Sequence, residues 1–254
     1  MRQQALTYGA LGAILALSAG TATANSIGLD VNSISGIWTS VDPADTRGLN
    51  GVGSASINWG VPADFFGVGP QSGYDFTAAT TPFTAAAGTL FNLGTFTHRN
   101  EPIRGFSSSP PSSIESATLT VDTNITIDGW SDTITSVFEF DHFETPNSGT
   151  PCAAGGSQPC PDLVTAALNE GASESVVIGG VEYFFSITGF EIEGTVLDSF
   201  LTLEEQSNSA VLKGEFTSEP ITTVPIPAAA WLFGSALLGA VGLGRRNSKK
   251  KREA

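Results

Sequence analysis

Two short stretches of the chain concentrate residue types that can do acid–base chemistry. The first, residues 94–103, reads GTFTHRNEPI and places His98 beside an arginine, an asparagine and a glutamate. The second, residues 138–147, reads FEFDHFETPN and alternates acidic with aromatic residues. A histidine beside charged residues is a candidate catalytic group. Paired carboxylates are the groups with which glycosidases hydrolyse polysaccharides.

The position of His98 favours a structural role over a catalytic one. On a strand, Phe96 and His98 share one face, so an inward Phe96 implies an inward imidazole. A buried imidazole must satisfy its ring nitrogens, and the candidate partners are Asn100, a backbone carbonyl or a carboxylate from residues 138–144. We therefore expect His98 to be hydrogen-bonded inside the fold.

The acids of the second stretch would act as a catalytic pair only if they met in a cleft. The candidates are Glu139, Asp141 and Glu144. The chain contains no G-x-S-x-G, HExxH or Gly-rich phosphate-binding motif, so the sequence predicts no enzyme. The tryptophans and one tyrosine could stack on a sugar ring, although core packing is the favoured interpretation; they are Trp38, Trp59, Tyr74 and Trp130.

Cys152 and Cys160 are the only cysteines and flank a Gly-rich segment of seven residues. In a chain destined for an oxidising compartment, this spacing predicts a local disulfide. The alternative, a metal site, would need further ligands, for which Asp162 and His142 are the nearby candidates.

The charge of residues 25–223 is strongly unbalanced, with four basic residues against 24 acidic ones. Such a surface repels nucleic acid and anionic lipid, so nucleic-acid binding is excluded. It suits a solvated extracellular protein that binds Ca²⁺ weakly through acidic loops, and no other cofactor is expected.

The secondary-structure pattern is β almost throughout. Leu119, Val121, Ile125 and Ile127 alternate with polar residues, and Asp128-Gly129 separates this run from the next, which predicts a hairpin. The sequence predicts a second hairpin around Gly179-Gly180 and a third between Phe200–Glu204 and Ala210–Phe216. Shorter strands are predicted at Gly36–Val41, Ser54–Trp59, Gly73–Phe76 and Leu90–Thr97, and one helical turn at Leu163–Leu168. Many short strands with frequent glycines indicate an all-β fold, a β-sandwich of jelly-roll type.

Both ends of the chain carry targeting patterns. Residues 1–24 combine Arg2, a short apolar stretch and the small residues Ala22 and Ala24, which is typical of a signal peptide cleaved after Ala24. Residues 228–244 carry no charge and are just long enough for a transmembrane helix. The basic residues that follow, including the tail 249–254, predict a cytoplasmic C-terminus.

The C-terminal segment 224–248 resembles the PEP-CTERM sorting signal of Gram-negative bacteria. The resemblance rests on a proline motif, the short apolar helix and an arginine pair, carried by Val224, Pro225, Ile226, Pro227, Ala228, Arg245 and Arg246. Ile226 stands where the family's naming pattern has glutamate. The resemblance implies export by the Sec machinery, a transient anchor in the inner membrane and processing by an exosortase near the proline motif.

The body, from about residue 36 to 216, resembles the choice-of-anchor K domain of bacterial exported proteins. Short motifs carry this resemblance, among them Gly36-Ile37-Trp38, Asn58-Trp59-Gly60 and Ser72-Gly73-Tyr74, followed by the cysteine pair. Within these motifs, the candidate functional residues are His98, Asn100, Pro102, Glu144 and Asn147. The family has no settled activity, so the resemblance implies an exported domain and supplies no catalytic residue.

The sequence thus predicts an exported, non-enzymatic protein of the bacterial cell surface or biofilm matrix, with polysaccharide as a candidate partner. The alternative is a hydrolase or a carbohydrate-binding module acting on extracellular polysaccharide.

Overall fold

The computed structural model describes residues 28–64, 66–105, 109–168, 175–178 and 181–217. In this part of the chain all regular structure is β. In chain order the strands are β1 (Gly28–Asp42), β2 (Ser56–Trp59), β3 (Ser72–Ala78), β4 (Phe83–Ala86), β5 (Leu90–Asn100), β6 (Ser116–Ile127), β7 (Trp130–Phe143), β8 (Asp162–Leu168), β9 (Ser175–Ile178), β10 (Val181–Ile192), β11 (Thr195–Leu197), β12 (Ser199–Thr202) and β13 (Gln206–Thr217).

The described strands form two antiparallel sheets. The first has the order β12-β8-β7-β6-β1-β4, and the second has the order β11-β10-β13-β5-β3-β2, with β9 also paired to β10. The inner faces of the two sheets pack on each other, which confirms the all-β prediction and fits a β-sandwich.

Aromatic side chains from both sheets fill the space between them. The ring of Phe96, from the second sheet, stacks at 5.2 Å on that of Phe140, from the first. Trp38 of the first sheet lies 5.3 Å from Tyr74 of the second, measured between ring centroids. All four side chains are fully buried, so the core interpretation of Trp38 and Tyr74 is correct. Trp59 is buried as well, whereas Trp130, at the first residue of β7, is 39% exposed.

The alternating pattern identifies the first hairpin correctly. β6 pairs along its whole length with residues 130–141 of β7, and the buried residues of β6 include the four predicted ones. Asp128 and Gly129 connect the strands with φ angles of 48° and 79°, the left-handed conformation of a two-residue turn. The second hairpin is also confirmed, because β9 pairs with the start of β10. The four shorter predicted strands all fall on observed ones: β1, β2, β3 and β5.

The third predicted hairpin is wrong. β12 pairs with β8 in the first sheet, whereas β13 pairs with β10 and β5 in the second. The segment between them carries the chain from one sheet to the other, and Asn208 holds this corner by hydrogen bonds to the backbone N–H and C=O of Leu203. The alternation of apolar and polar residues indicates which face of a strand is buried, but it does not indicate which strand lies beside it.

The predicted helical turn at Leu163–Leu168 is wrong too, since these residues belong to β8. This strand pairs with β7 on one side and β12 on the other, and Val164 is fully buried. Alanine and leucine are good helix formers, but tertiary context overrides intrinsic propensity, and pairing along two edges determines the conformation of this segment.

The predicted disulfide is confirmed: Cys152 and Cys160 are bonded, with their Cα atoms 5.3 Å apart. Cys160 is fully buried, and its N–H donates to the carbonyl of Asn147. The cross-linked loop therefore packs against the body and leads directly into β8.

The signal peptide (1–24), the sorting signal (224–248), the transmembrane helix (228–244) and the basic tail (249–254) lie outside the described residues. Within the described ranges, no helix has the length and apolar character needed to cross a membrane.

Candidate functional site

His98 of β5 points into the space between the sheets, as its alternation with Phe96 predicts. It is fully buried, and its ring stacks on that of Trp59 with centroids 5.8 Å apart. Its Nδ1 lies 2.8 Å from the hydroxyl of Thr202, a partner that the sequence did not indicate. Its Nε2 has no hydrogen-bond partner among the described residues.

His142 of β7 approaches His98 from the opposite sheet. The two ring centroids lie 5.2 Å apart, and the ring planes are nearly perpendicular. Nδ1 of His142 is 2.6 Å from the Tyr74 hydroxyl, and Nε2 is 3.2 Å from Oε2 of Glu144. The only two histidines of the chain therefore meet in one buried cluster.

Asp162, the first residue of β8, completes the cluster. It is fully buried, and its Oδ1 accepts the N–H of Thr145 at 2.8 Å. Its Oδ2 has no partner in the described part of the chain. The sequence indicates Asp162 only as a candidate ligand of a metal site at the cysteines; the structure places it beside the histidines instead.

Of the five candidate motif residues, four line or border this cluster. Asn100 is buried and donates to the carbonyl of Thr202 at 3.0 Å, and Asn147 donates to Oε1 of Glu204 at 2.7 Å. Glu144 contacts His142, as described above. Pro102 is the exception: it is partly exposed, and its carbonyl accepts the N–H of Ala63.

The other acids of the second stretch do not join the cluster. Glu139 and Asp141 are exposed and lie on the outer face of β7, opposite to His142. Only Glu144, just beyond the end of the strand, reaches the inner side, where it borders a surface pocket of about 420 Å³. The three acids therefore do not converge in a cleft.

Burial sets the protonation of the cluster. Burial, and next the carboxylate of Glu144, raises the pKa of Asp162 to about 7. Burial likewise raises the pKa of Glu204 to about 7, although the hydrogen bond from Asn147 opposes the change. Burial, reinforced by His142, lowers the pKa of His98 well below its usual value, so His98 is neutral at physiological pH.

The raised pKa of Glu204 predicts that stability falls as the pH rises. Its pKa is near 4.5 in the unfolded chain and about 7 in the folded one, so its protonated form favours folding at acidic pH. That contribution, at most about 3 kcal/mol, is lost progressively between about pH 4.5 and 7. We expect Glu204→Gln, which stays neutral, to reduce the pH dependence of the unfolding free energy measured in urea. The control is Glu139→Gln on the exposed outer face of β7, away from Glu204; equal pH profiles for both variants would contradict the prediction.

The cluster is a group of buried donors and acceptors in which the hydroxyls of Thr202 and Tyr74 are hydrogen-bonded to the two histidines. His98, His142 and Asp162 each offer one ligand atom, and these three atoms lie within 4.8 Å of one another. No protein-family model matches the chain, and no curated protein matches it. Two imidazoles and a carboxylate at this spacing can hold a metal ion or form a polar network inside the core.

Proposed function

We propose that the protein is exported and acts, without catalysis, as a surface or extracellular-matrix protein of a Gram-negative bacterium. Its β-sandwich body, of jelly-roll type, would be delivered by the Sec machinery and released from the inner membrane by an exosortase. The observation that carries the proposal is the Cys152–Cys160 disulfide. Disulfides persist in oxidising compartments and are rare in the cytosol. The targeting patterns at the two ends of the sequence agree with this compartment.

The described body also supports a binding or structural role over hydrolysis. Glu139 and Asp141 lie on the outer face of β7, so they cannot act with Glu144 across one substrate. Three of the four candidate sugar-stacking aromatics are buried, and only Trp130 is exposed. A polysaccharide would therefore be held by the acidic, polar outer faces and Trp130.

The intact mass of the exported protein tests the proposal. In a host that has an exosortase, we expect the mature chain to begin at Asn25 and to lack the apolar segment 228–244, because cleavage falls near Pro225 and Pro227. In a strain without the exosortase, the C-terminal segment should remain attached. A mature product that keeps Trp231 to Ala254 in the exosortase-containing host would contradict the processing step.

A further inference from the structure

The buried cluster joins the two sheets at one point. His98 lies on β5 of the second sheet, whereas His142 and Asp162 lie on β7 and β8 of the first. None of the three is more than 7% exposed. A ligand bound by all three would therefore connect the faces of the sandwich.

The cluster contains two buried atoms whose hydrogen-bonding capacity is unused. The Thr202 hydroxyl can donate to the carbonyl of Asp162, 3.4 Å away, and it accepts the Nδ1–H of His98. Nε2 of His98 then carries a lone pair with no hydrogen-bond partner among the described residues. Oδ2 of Asp162 also lacks a partner among them. Both unsatisfied atoms are acceptors, and leaving them unpaired in the core costs stability. A cation between them satisfies both.

We propose that His98, His142 and Asp162 bind one Zn²⁺ ion that links the two sheets. Imidazole nitrogen and carboxylate oxygen are common Zn²⁺ ligands, whereas Ca²⁺ prefers an all-oxygen set. Ligand atoms around a tetrahedral Zn²⁺ lie about 3.4 Å apart, since each bond is about 2.0–2.2 Å long. Donor atoms already within 4.8 Å of one another need only small side-chain rotations to reach that spacing.

The neighbours of the histidines orient both rings for this role. The Thr202 hydroxyl lies at Nδ1 of His98, and the Tyr74 hydroxyl lies at Nδ1 of His142, 2.6 Å away. If each Nδ1–H donates to its hydroxyl, Nε2 of His98 is free to bind the metal, and Nε2 of His142 can bind it by exchanging its contact with Oε2 of Glu144 for the ion. Such hydroxyl contacts fix the tautomer of metal-binding histidines. Glu144 is a further candidate ligand, because its Oε2 lies 3.2 Å from Nε2 of His142. Its side chain also borders the surface pocket.

The surroundings of the ion indicate a structural site and not a catalytic one. The rings of Trp59 and Tyr74 pack against both imidazoles, with centroids between 5.0 and 5.8 Å apart. These rings close the site on their side, and Glu144 is placed to fill the fourth position that distinguishes a structural Zn²⁺ site from a catalytic one. Structural sites of this kind contribute to folding.

The protein's two histidines allow a direct test by NMR. The exported protein, purified without a histidine tag and labelled with ¹⁵N-histidine, is titrated with Zn²⁺ and, separately, with Ca²⁺. We expect one equivalent of Zn²⁺ to shift the Nε2 resonances of both imidazoles, while Nδ1 stays protonated and Ca²⁺ causes no shift. The proposal would be overturned by any of three results: Zn²⁺ binds but the imidazole resonances do not change, no Zn²⁺ binds at micromolar concentration, or Ca²⁺ gives an equal response.

Two matched variants extend the test to the carboxylate. Asp162→Asn keeps an oxygen for the N–H of Thr145 but removes the charge, and we expect Zn²⁺ affinity to fall at least about 100-fold. Asp141→Asn makes the same change on the outer face of β7 and should bind as the wild type does. Equal affinity in both variants would exclude Asp162 as a ligand. If Asp162→Asn does not fold, the wild-type titration alone decides.

Discussion

Replacing Phe96 by alanine is expected to lower the free energy of unfolding by about 4 kcal/mol, because the change leaves a large cavity between the sheets. Phe96 is fully buried, and its ring packs on Phe140 of the facing sheet and on Phe190 of its own. It also lies 6.2 Å from the ring of Trp38, measured between centroids. Equilibrium unfolding in urea, with the disulfide intact, measures the loss.

Phe143→Ala provides the matched control for this measurement. Phe143 also lies on a strand, but its side chain points outward and is 49% exposed. The same change of residue type should therefore cost less than about 1 kcal/mol. If both variants lost the same free energy of unfolding, the contacts that Phe96 makes across the sandwich would not explain its contribution to stability.

The parts of the fold that depend on local sequence are the parts that could be predicted. The β6–β7 hairpin follows from alternation on either side of Asp128-Gly129, because the turn itself fixes the pairing. The disulfide follows from two cysteines close in sequence. The corner between β12 and β13 has similar alternation, but its outcome depends on distant strands, β8 and β5, which no local pattern reveals.

The candidate site shows the same limit. The inward direction of His98 follows from its spacing to Phe96, but its partner Thr202 is 104 residues away in the sequence. The sequence does carry one signal: Phe200, Thr202 and Glu204 occupy alternate positions of one run, and the structure shows that all three are buried. Polar residues at buried positions of an alternating run indicate partners inside the core, although only the fold shows that those partners include His98 and Asn147.

Replacing His98 by alanine should separate a structural histidine from a catalytic one. The imidazole is enclosed by Trp59, Tyr74 and His142, so its removal leaves a cavity and an unpaired Thr202 hydroxyl. We expect a loss of about 3 kcal/mol in the presence of a chelator, the sum of lost packing and a broken buried hydrogen bond. Without the chelator the loss should be larger if the wild-type protein holds Zn²⁺, since a ligand that binds only the folded state adds to its stability.

Thr97→Ala, one residue earlier on the same strand, is the control for His98→Ala. Thr97 lies on the outer face of β5, where its hydroxyl contacts that of Ser209, and its removal should change stability by no more than about 0.5 kcal/mol. Thermal melting of the two variants, each with and without chelator, gives the comparison. A catalytic histidine would instead be replaceable with little change in melting temperature. A His98→Ala melting curve that coincides with the Thr97→Ala curve would thus contradict the core role of His98 and make it a candidate catalytic residue again.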